Sequence, residues 1–396
     1  MPWIVGFFAV VVLLVVLQDA FEVMLLPRRV HRRFRLTRFY FDRAWAAWCW
    51  FANRMPAGMA RERFLSVFGA LSMIVLFALW ASTLIGAFGA LEWAFQGNAA
   101  ASPVGEQIYM SGVTFFTLGY GDVVPHSQLA RVVSVMEAGT GIGFIAVVIG
   151  YLPVLYQLFS RREAHVIQLD ARAGSPPTAT TMLTRHAESG GLDKLEDLLR
   201  EWEIWCSDLL ESHLSYPMLV YYRSQHDNQS WLAALTAVMD SCALILVGVE
   251  DLQPLQARMT FAMARQVIVE MARSFGIRPS RYDGGDRLPH AEFERMETIL
   301  LQTGLNWRQE PNTEETLAAL RATYEPLLDG LANALLLALP GWIAAADATD
   351  HWQRGHRGLI ASRLIEQLSA RNDTDAASEP KHSRFAQRLR SRLTRD

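Results

Sequence analysis

The feature that most constrains the fold is a run of 28 residues, 64–91, without a charged side chain. About 20 consecutive apolar residues are enough to cross the hydrocarbon core of a bilayer as a helix. Two further apolar runs, at residues 3–26 and 132–158, are of similar length and carry only acidic charges, two in the first and one in the second. The sequence therefore predicts an all-α membrane protein with three transmembrane helices, the first of them within residues 1–27.

Composition divides the chain into an apolar first part and a polar second part. Residues 1–160 contain 11 Arg, no Lys and 8 acidic residues, whereas residues 161–396 contain 26 basic and 32 acidic residues. The charge density of the second part is that of a soluble domain. A net charge of −3 excludes a strongly basic nucleic-acid binder. Three widely separated cysteines favour neither a disulfide framework nor a zinc site.

Arginines predict the orientation of the transmembrane helices. Six of them lie just after the first apolar run: Arg28, Arg29, Arg32, Arg33, Arg35 and Arg38. Because such residues are enriched in cytoplasmic loops, we expect residues 28–63 and the C-terminal part inside the cell, and the N-terminus outside. Within this basic loop, residues 39–51 are aromatic-rich and predict an interfacial amphipathic helix, with deeper insertion as the alternative. The arginines themselves indicate a topology signal or a contact with anionic lipids.

Between the second and third apolar runs lies the string Thr117-Leu118-Gly119-Tyr120-Gly121-Asp122. It resembles the selectivity filter of potassium channels, whose usual string has Val where this chain has Leu118. The flanks also follow that family's order, with an outer helix at 64–91, a pore helix at 103–115, the filter at 117–122 and an inner helix at 131–158. The resemblance implies a channel that conducts K⁺ passively, with no catalytic residue and no cofactor beyond the permeant ion.

The filter string assigns a role to each of its residues. The expected K⁺ ligands are the backbone carbonyls of Thr117, Leu118, Gly119 and Tyr120, with the Thr117 hydroxyl as an innermost ring. Glycines fit this string because the carbonyls can share one axis only if alternate residues adopt positive φ. Since one filter string occurs in the chain, a fourfold site requires a homotetramer.

Three further residues are expected to support the filter: Gly121, Asp122 and Thr114. In several potassium channels an acidic residue of the pore helix pairs with the Asp after the filter, but the corresponding position here is Val113. We therefore expect Tyr109 or a water molecule as the partner of Asp122, and the resemblance does not extend to inactivation behaviour.

Three residues of the inner helix are gating candidates. Gly139 corresponds to the hinge glycine of the family, with close packing as the alternative role. Pro153 lacks an N–H and is expected to kink the helix. Glu137 is an acid within a membrane span, so it is expected either to hydrogen-bond the back of the pore helix or to form a cation site facing the pore. No span carries arginines at every third position, which argues against intrinsic voltage sensing.

The C-terminal part is predicted to be helical. Residues 161–180, which end in Gly174-Ser175-Pro176-Pro177, predict a linker. A helical cytoplasmic domain at 181–371 and a basic disordered tail at 372–396 follow, with helices expected at 191–214, 216–226, 230–250, 254–275, 290–304, 313–339 and 355–371. One polar and aromatic cluster in the helical domain is interpreted either as a helix junction or as a ligand site. It comprises Tyr221, Tyr222, Arg223, His226, Asp227 and Trp231.

Three functions remain open at this point. The first is a tetrameric potassium channel gated or assembled by its helical domain, whose ligand or regulator the sequence does not name. The second is a cation channel of weak selectivity, because Leu118 enlarges the packing behind the filter. The third is a membrane-tethered enzyme or signalling module, although the helical part contains no nucleotide-binding glycine motif or nucleophile motif.

Overall fold

The computed structural model describes residues 2–25, 35–96, 103–188, 190–224, 228–277, 285–345 and 348. Within this part of the chain the protein is an all-α membrane protein. Three of its helices are long and apolar enough to cross a membrane: α1 (Pro2–Met24), α3 (Met59–Phe95) and α5 (Gln128–Ala173). The predicted helix 355–371 and tail 372–396 lie outside the described residues, as do Arg28, Arg29, Arg32 and Arg33.

Helix α3 is the centre of the membrane part. It packs against α1 on one side and against α4 (Val104–Phe115) and α5 on the other. A buried polar contact fixes α1, because the Asp19 carboxylate accepts hydrogen bonds from Thr37 Oγ1 at 2.6 Å and from Trp80 Nε1 at 3.3 Å. One turn later, Glu22 lies 3.9 Å from Arg35. Buried acids at the end of α1 thus obtain partners from the segment that follows it.

Helix α2 (Leu36–Ala52) lies between the membrane helices and the C-terminal helices. Trp48 stacks on Phe64 of α3 with ring centroids 4.4 Å apart, and Phe41 stacks on Tyr221 at 5.6 Å. The Trp45 indole donates to the Ala334 carbonyl oxygen at 2.8 Å. The aromatic residues that predicted an interfacial helix therefore use one face of α2 to hold the two parts of the molecule together.

The C-terminal helices, residues 179–345, pack around α8 (Trp231–Val247), which is buried at almost every position. An apolar helix of this kind belongs in a core rather than at a surface. Around it lie α6 (Ala179–Glu188), α7 (Leu192–Ser215), a 3₁₀-helix (Pro217–Tyr221), α9 (Pro254–Ser274), α10 (His290–Gln302), α11 (Thr313–Arg321) and α12 (Glu325–Leu335).

The chain differs from the sequence expectation in its linker. Helix α5 continues without a break through Pro153 to Ala173 and ends where Gly174 adopts a φ of 86°. Residues 161–173 are therefore helix, because buried apolar side chains recur at helical spacing from Phe159 to Val166 and Leu169. The C-terminal helices begin with α6, directly after the turn at 174–177.

Two expected helices are shorter than predicted. Among the described residues of the helix expected at 216–226, the chain forms the 3₁₀-helix Pro217–Tyr221, and the Leu219 carbonyl oxygen accepts from the Arg162 side chain instead of from a following turn of α-helix. The expected helix 313–339 is two helices, α11 and α12, because Pro326 at the start of α12 cannot continue a helix that precedes it.

Candidate functional site

Helix α4 reaches its position through two close approaches to neighbouring helices. A Cβ on Gly89 of α3 would lie 2.7 Å from Ile108 Cα. A Cβ on Gly141 of α5 would overlap the Phe115 carbonyl oxygen and lie 2.9 Å from its carbon. Since any larger residue would push α4 away at these points, the two glycines fix the depth and direction of the helix that precedes the filter.

The filter backbone departs from helical geometry directly after Phe115. The turn is closed by the Leu118 N–H, which donates to the Val113 carbonyl oxygen at 2.8 Å. Thr117, Gly119 and Gly121 then have φ values of 57°, 63° and 76°, whereas Leu118 and Tyr120 are not in the positive-φ region. The structure thus has the alternation that the two glycines predicted, and it extends that alternation to a threonine.

The positive φ of Thr117 was missed by reasoning from the sequence. A non-glycine residue in this region is strained by about 1–2 kcal/mol, and a β-branched residue is among the least suited to it. Composition gave no signal for it. Only the period of two between Thr117, Gly119 and Gly121 could have indicated that the alternation begins at the threonine.

Side chains of the filter are exposed in the single chain. Leu118 is 53% exposed and Tyr120 is 67% exposed, although Leu118 was expected to pack behind the filter. Asp122 is also exposed, and its carboxylate is hydrogen-bonded to the Tyr109 hydroxyl of α4. Tyr109 is one of the two partners expected for this acid, so the support that Val113 cannot give comes from the pore helix one turn earlier.

Hydrogen bonds tie the segment after the filter to the end of α3. The Gln96 side chain accepts from the His126 N–H at 3.1 Å, and the Ser127 hydroxyl donates to the Phe95 carbonyl oxygen at 2.6 Å. Ser127 also caps α5, because its oxygen accepts from the Ala130 N–H at 3.0 Å. The loop that follows the filter is therefore anchored at both of its helical neighbours.

The three gating candidates have different surroundings. Gly139 is exposed, and a Cβ there would meet nothing within 4 Å. Pro153 is exposed on a helix that continues through it. Glu137 is buried and hydrogen-bonded to Ser111 of α4, which is the first of the two arrangements expected for it. The close contact of α5 with the pore helix is made by Gly141, and the gating roles of Gly139 and Pro153 stay predictions.

Helix α5 exposes a long row of apolar side chains. Its exposed members include Val132, Val135, Met136, Ile142, Ile149, Leu152, Val154 and Tyr156. These residues extend from the first turns of the helix almost to its junction with the C-terminal helices. The helix is therefore covered on the side of α3 and α4 and uncovered on the other side.

A buried arginine joins α5 to the C-terminal helices. Arg162 donates to the Leu219 and Tyr222 carbonyl oxygens, at 3.0 and 2.6 Å, and pairs with Glu163 at 2.9 Å. Close by, Arg223 pairs with Glu62 of α3 and donates to the Leu335 and Leu336 carbonyl oxygens.

The predicted polar–aromatic cluster lies at this junction. The structure brings together Tyr221, Tyr222, Arg223 and Trp231, while His226 and Asp227 lie outside the described residues. The cavity between them is about 10 Å³, the room of one water molecule. This arrangement fits the helix-junction interpretation of the cluster rather than a site for a larger ligand.

Comparison with known proteins finds a similarity in the membrane part of the chain. Residues 73–157 match the family model described as "Ion channel". Over 107 residues the chain is 30% identical to a voltage-gated potassium channel of Aeropyrum pernix, covering 27% of this chain and 34% of that protein. Over 223 residues it is 23% identical to an uncharacterized membrane protein of Bacillus subtilis, covering 54% and 64% respectively.

The family match lies within the membrane part, whereas the two relatives match longer stretches of the chain. The chain spans less than two thirds of the length of either relative. No solved structure matches the chain at a significant level. The matched segment contains the end of α3, helix α4, the filter string and most of the apolar part of α5.

Proposed function

We propose that this chain, whose residues 73–157 match the family model described as "Ion channel", is one subunit of a potassium-selective channel in the cell membrane. The observation that carries the proposal is the alternation of positive φ at Thr117, Gly119 and Gly121. Alternation of this kind suits a strand whose carbonyl oxygens replace the water around a dehydrated ion. The K⁺ ligands are then the carbonyls of residues 117–120, and the chain transports an ion rather than catalysing a reaction.

We infer a homotetramer from the incompleteness of the single chain. One chain supplies one filter string, and a ring of ligands around an ion requires several. The uncovered row on α5 and the exposed Leu118 and Tyr120 supply apolar area for contacts between subunits. In this assembly the four copies of α5 surround the ion path, and the filter side chains are covered by neighbouring subunits.

Gating by the C-terminal helices is the second part of the proposal. Because α5 runs as one helix from the filter side to Ala173, and Arg162 attaches it to the 3₁₀-helix, a movement of the C-terminal helices is transmitted to the pore. The arginine-rich segment supports a cytoplasmic location for these helices, with the N-terminus outside. The same proposal includes contacts of anionic lipids with Arg28–Arg38 and the binding of a cytoplasmic ligand or regulator to the C-terminal helices.

The test is reconstitution of the purified protein in planar bilayers under opposed K⁺ and Na⁺ gradients. We expect a reversal potential close to the K⁺ equilibrium value for the wild type. Gly119→Ala is expected to abolish selective conduction, because a Cβ opposes its positive φ of 63°. Gly105→Ala is the matched control, since a Cβ at this α4 glycine meets nothing within 4 Å.

Each alternative function gives a different result in this experiment. A reversal potential near zero under the opposed gradients indicates a weakly selective cation channel. An absence of ion flux from correctly assembled protein favours the membrane-tethered module. Unaltered selectivity in a folded Gly119→Ala variant contradicts the assignment of the filter, and a native mass other than that of four chains contradicts the tetramer.

A further inference from the structure

Glu137 is an acid in the middle of an apolar helix, and it is completely buried at 0% exposure. One of its oxygens, Oε1, contacts Ser111 Oγ of the pore helix. The other, Oε2, has no hydrogen-bond partner among the described residues. A buried carboxylate without a compensating cation is strongly disfavoured in an apolar surrounding. The hydrogen-bond partners of Oε1 therefore decide whether Glu137 carries a proton.

Ser111 Oγ has two partners. Besides Glu137 Oε1, it lies 2.7 Å from the backbone carbonyl oxygen of Ile85 in α3. A hydroxyl group carries one proton, and a backbone carbonyl can only accept. When the Ser111 proton is donated to Ile85, the proton in the contact between Ser111 and Glu137 has to come from the Glu137 carboxyl group.

The other groups around Glu137 favour the same assignment. The titratable group that faces it among the described residues is Glu92 of α3, which is also buried at 0% exposure and lies beside Ser134 of α5. From α4 comes Ser111, which is also buried. Two negative charges in one buried region repel each other, so the neighbourhood favours a neutral carboxyl group at Glu137.

We propose that Glu137 is a proton-binding site whose neutral carboxyl group donates to Ser111 and, through it, ties α5 and α4 to the Ile85 carbonyl of α3. This chain of hydrogen bonds lies one turn before Phe115, where the pore helix ends and the filter begins. Glu137 is then a positioning residue: without its proton, Ser111 can donate either to the carboxylate or to the Ile85 carbonyl oxygen, and the link that joins all three helices is broken. The proton site stands on the geometry alone, whereas its effect on conduction rests on the proposed channel function.

Infrared spectroscopy of the full-length protein tests the proton without requiring conduction. We expect the difference spectrum between wild type and Glu137→Gln at neutral pH to contain the C=O band of a protonated carboxyl group. Ser111→Ala should shift this band to higher frequency, because the carboxyl group loses its acceptor. Glu106→Gln, at an exposed acid of α4, is the matched control and should leave the Glu137 band in place. Loss of a carboxylate band in Glu137→Gln, with no carboxyl band, overturns the proposal.

Ion flux tests the positioning role in the same variants. Glu137→Gln keeps a donor for Ser111 and is expected to retain the K⁺ flux of the wild type, whereas Glu137→Leu, which has none, is expected to lose it. If the leucine variant does not assemble, Ser111→Ala takes its place, since it removes the acceptor and little volume. Equal loss of flux in Glu137→Gln and Glu137→Leu, or full flux in Ser111→Ala, overturns the positioning role. A wild-type protein without flux but with the carboxyl band refutes the channel and keeps the proton site.

Discussion

Substitution of Gly141 by alanine tests the contact that holds the inner helix against the pore helix. A Cβ at this position would lie 2.9 Å from the Phe115 carbonyl carbon and 3.0 Å from its Cα, and would overlap the carbonyl oxygen between them. These atoms belong to backbone rather than to a flexible side chain. The pore helix therefore cannot accommodate the methyl group without moving, and the filter begins only two residues later.

The expected magnitude follows from two opposing terms. Alanine is favoured over glycine in a helix interior by about 1 kcal/mol. Overpacking of a closely packed contact costs about 1–3 kcal/mol, and contact with backbone belongs at the upper end of that range. We therefore expect Gly141→Ala to lower the free energy of unfolding by about 2 kcal/mol per chain, as the difference between these terms.

Gly143→Ala is the control, because a Cβ at Gly143 meets nothing within 4 Å in the chain. It gains the helix preference of alanine without the clash, so the two variants should differ by about 3 kcal/mol. Denaturant unfolding of both proteins in the same detergent, followed by far-UV circular dichroism, measures this difference. A Gly141→Ala protein as stable as Gly143→Ala would refute the close contact and, with it, the placement of α4 against α5.

Two further predictions concern the C-terminal helices. Burial, aided by the Arg162 charge, lowers the pKa of His213 to about 3. Below its ordinary pKa of 6.5, His213 is therefore protonated in the unfolded chain but still neutral in the folded chain. Stability should then fall by about 1.4 kcal/mol per pH unit from pH 6.5 towards 3. Thermal unfolding of His213→Gln should lose this dependence, while His165→Gln, at a partly exposed histidine of α5, keeps it. Arg162→Lys should cost about 2 kcal/mol in denaturant unfolding, because a single ammonium nitrogen cannot reach the acceptors that three separate guanidinium nitrogens reach. The neighbouring exposed Arg161→Lys should change stability by less than about 0.5 kcal/mol, and equal effects at both arginines would contradict the buried junction.

The membrane helices could be predicted from length and polarity alone. An uncharged run such as 64–91 has few alternatives to a transmembrane helix, and a pore helix that ends before a filter string follows from Gly119, Gly121 and the residues around them. The end of α5 was also within reach of the sequence, because the apolar positions after Phe159 keep helical spacing. Pro326 was a similar signal. It marks the start of α12, whereas a single helix was predicted at 313–339.

Other features depend on contacts that no local pattern contains. Nothing near Arg162 in the sequence indicates that its guanidinium bonds to carbonyls about 60 residues away. In the same way, the role of Gly141 rather than Gly139 in packing follows from which side of α5 meets Phe115. Helical periodicity gives the relative directions of two residues on one helix, but the partner helix decides which direction is the buried one.

In the proposed channel, the long α5 couples the pore to the C-terminal helices. At about 1.5 Å per residue, its 46 residues extend for about 70 Å, roughly twice the hydrocarbon thickness of a bilayer. One end is held at the pore helix by Gly141 and Glu137, and the other is held at the 3₁₀-helix by Arg162. A helix fixed at both ends transmits rotation or tilt between them, because bending it breaks backbone hydrogen bonds. Under the proposed function, a shift of the C-terminal helices therefore acts on the contact behind the filter as well as on the far end of the inner helix.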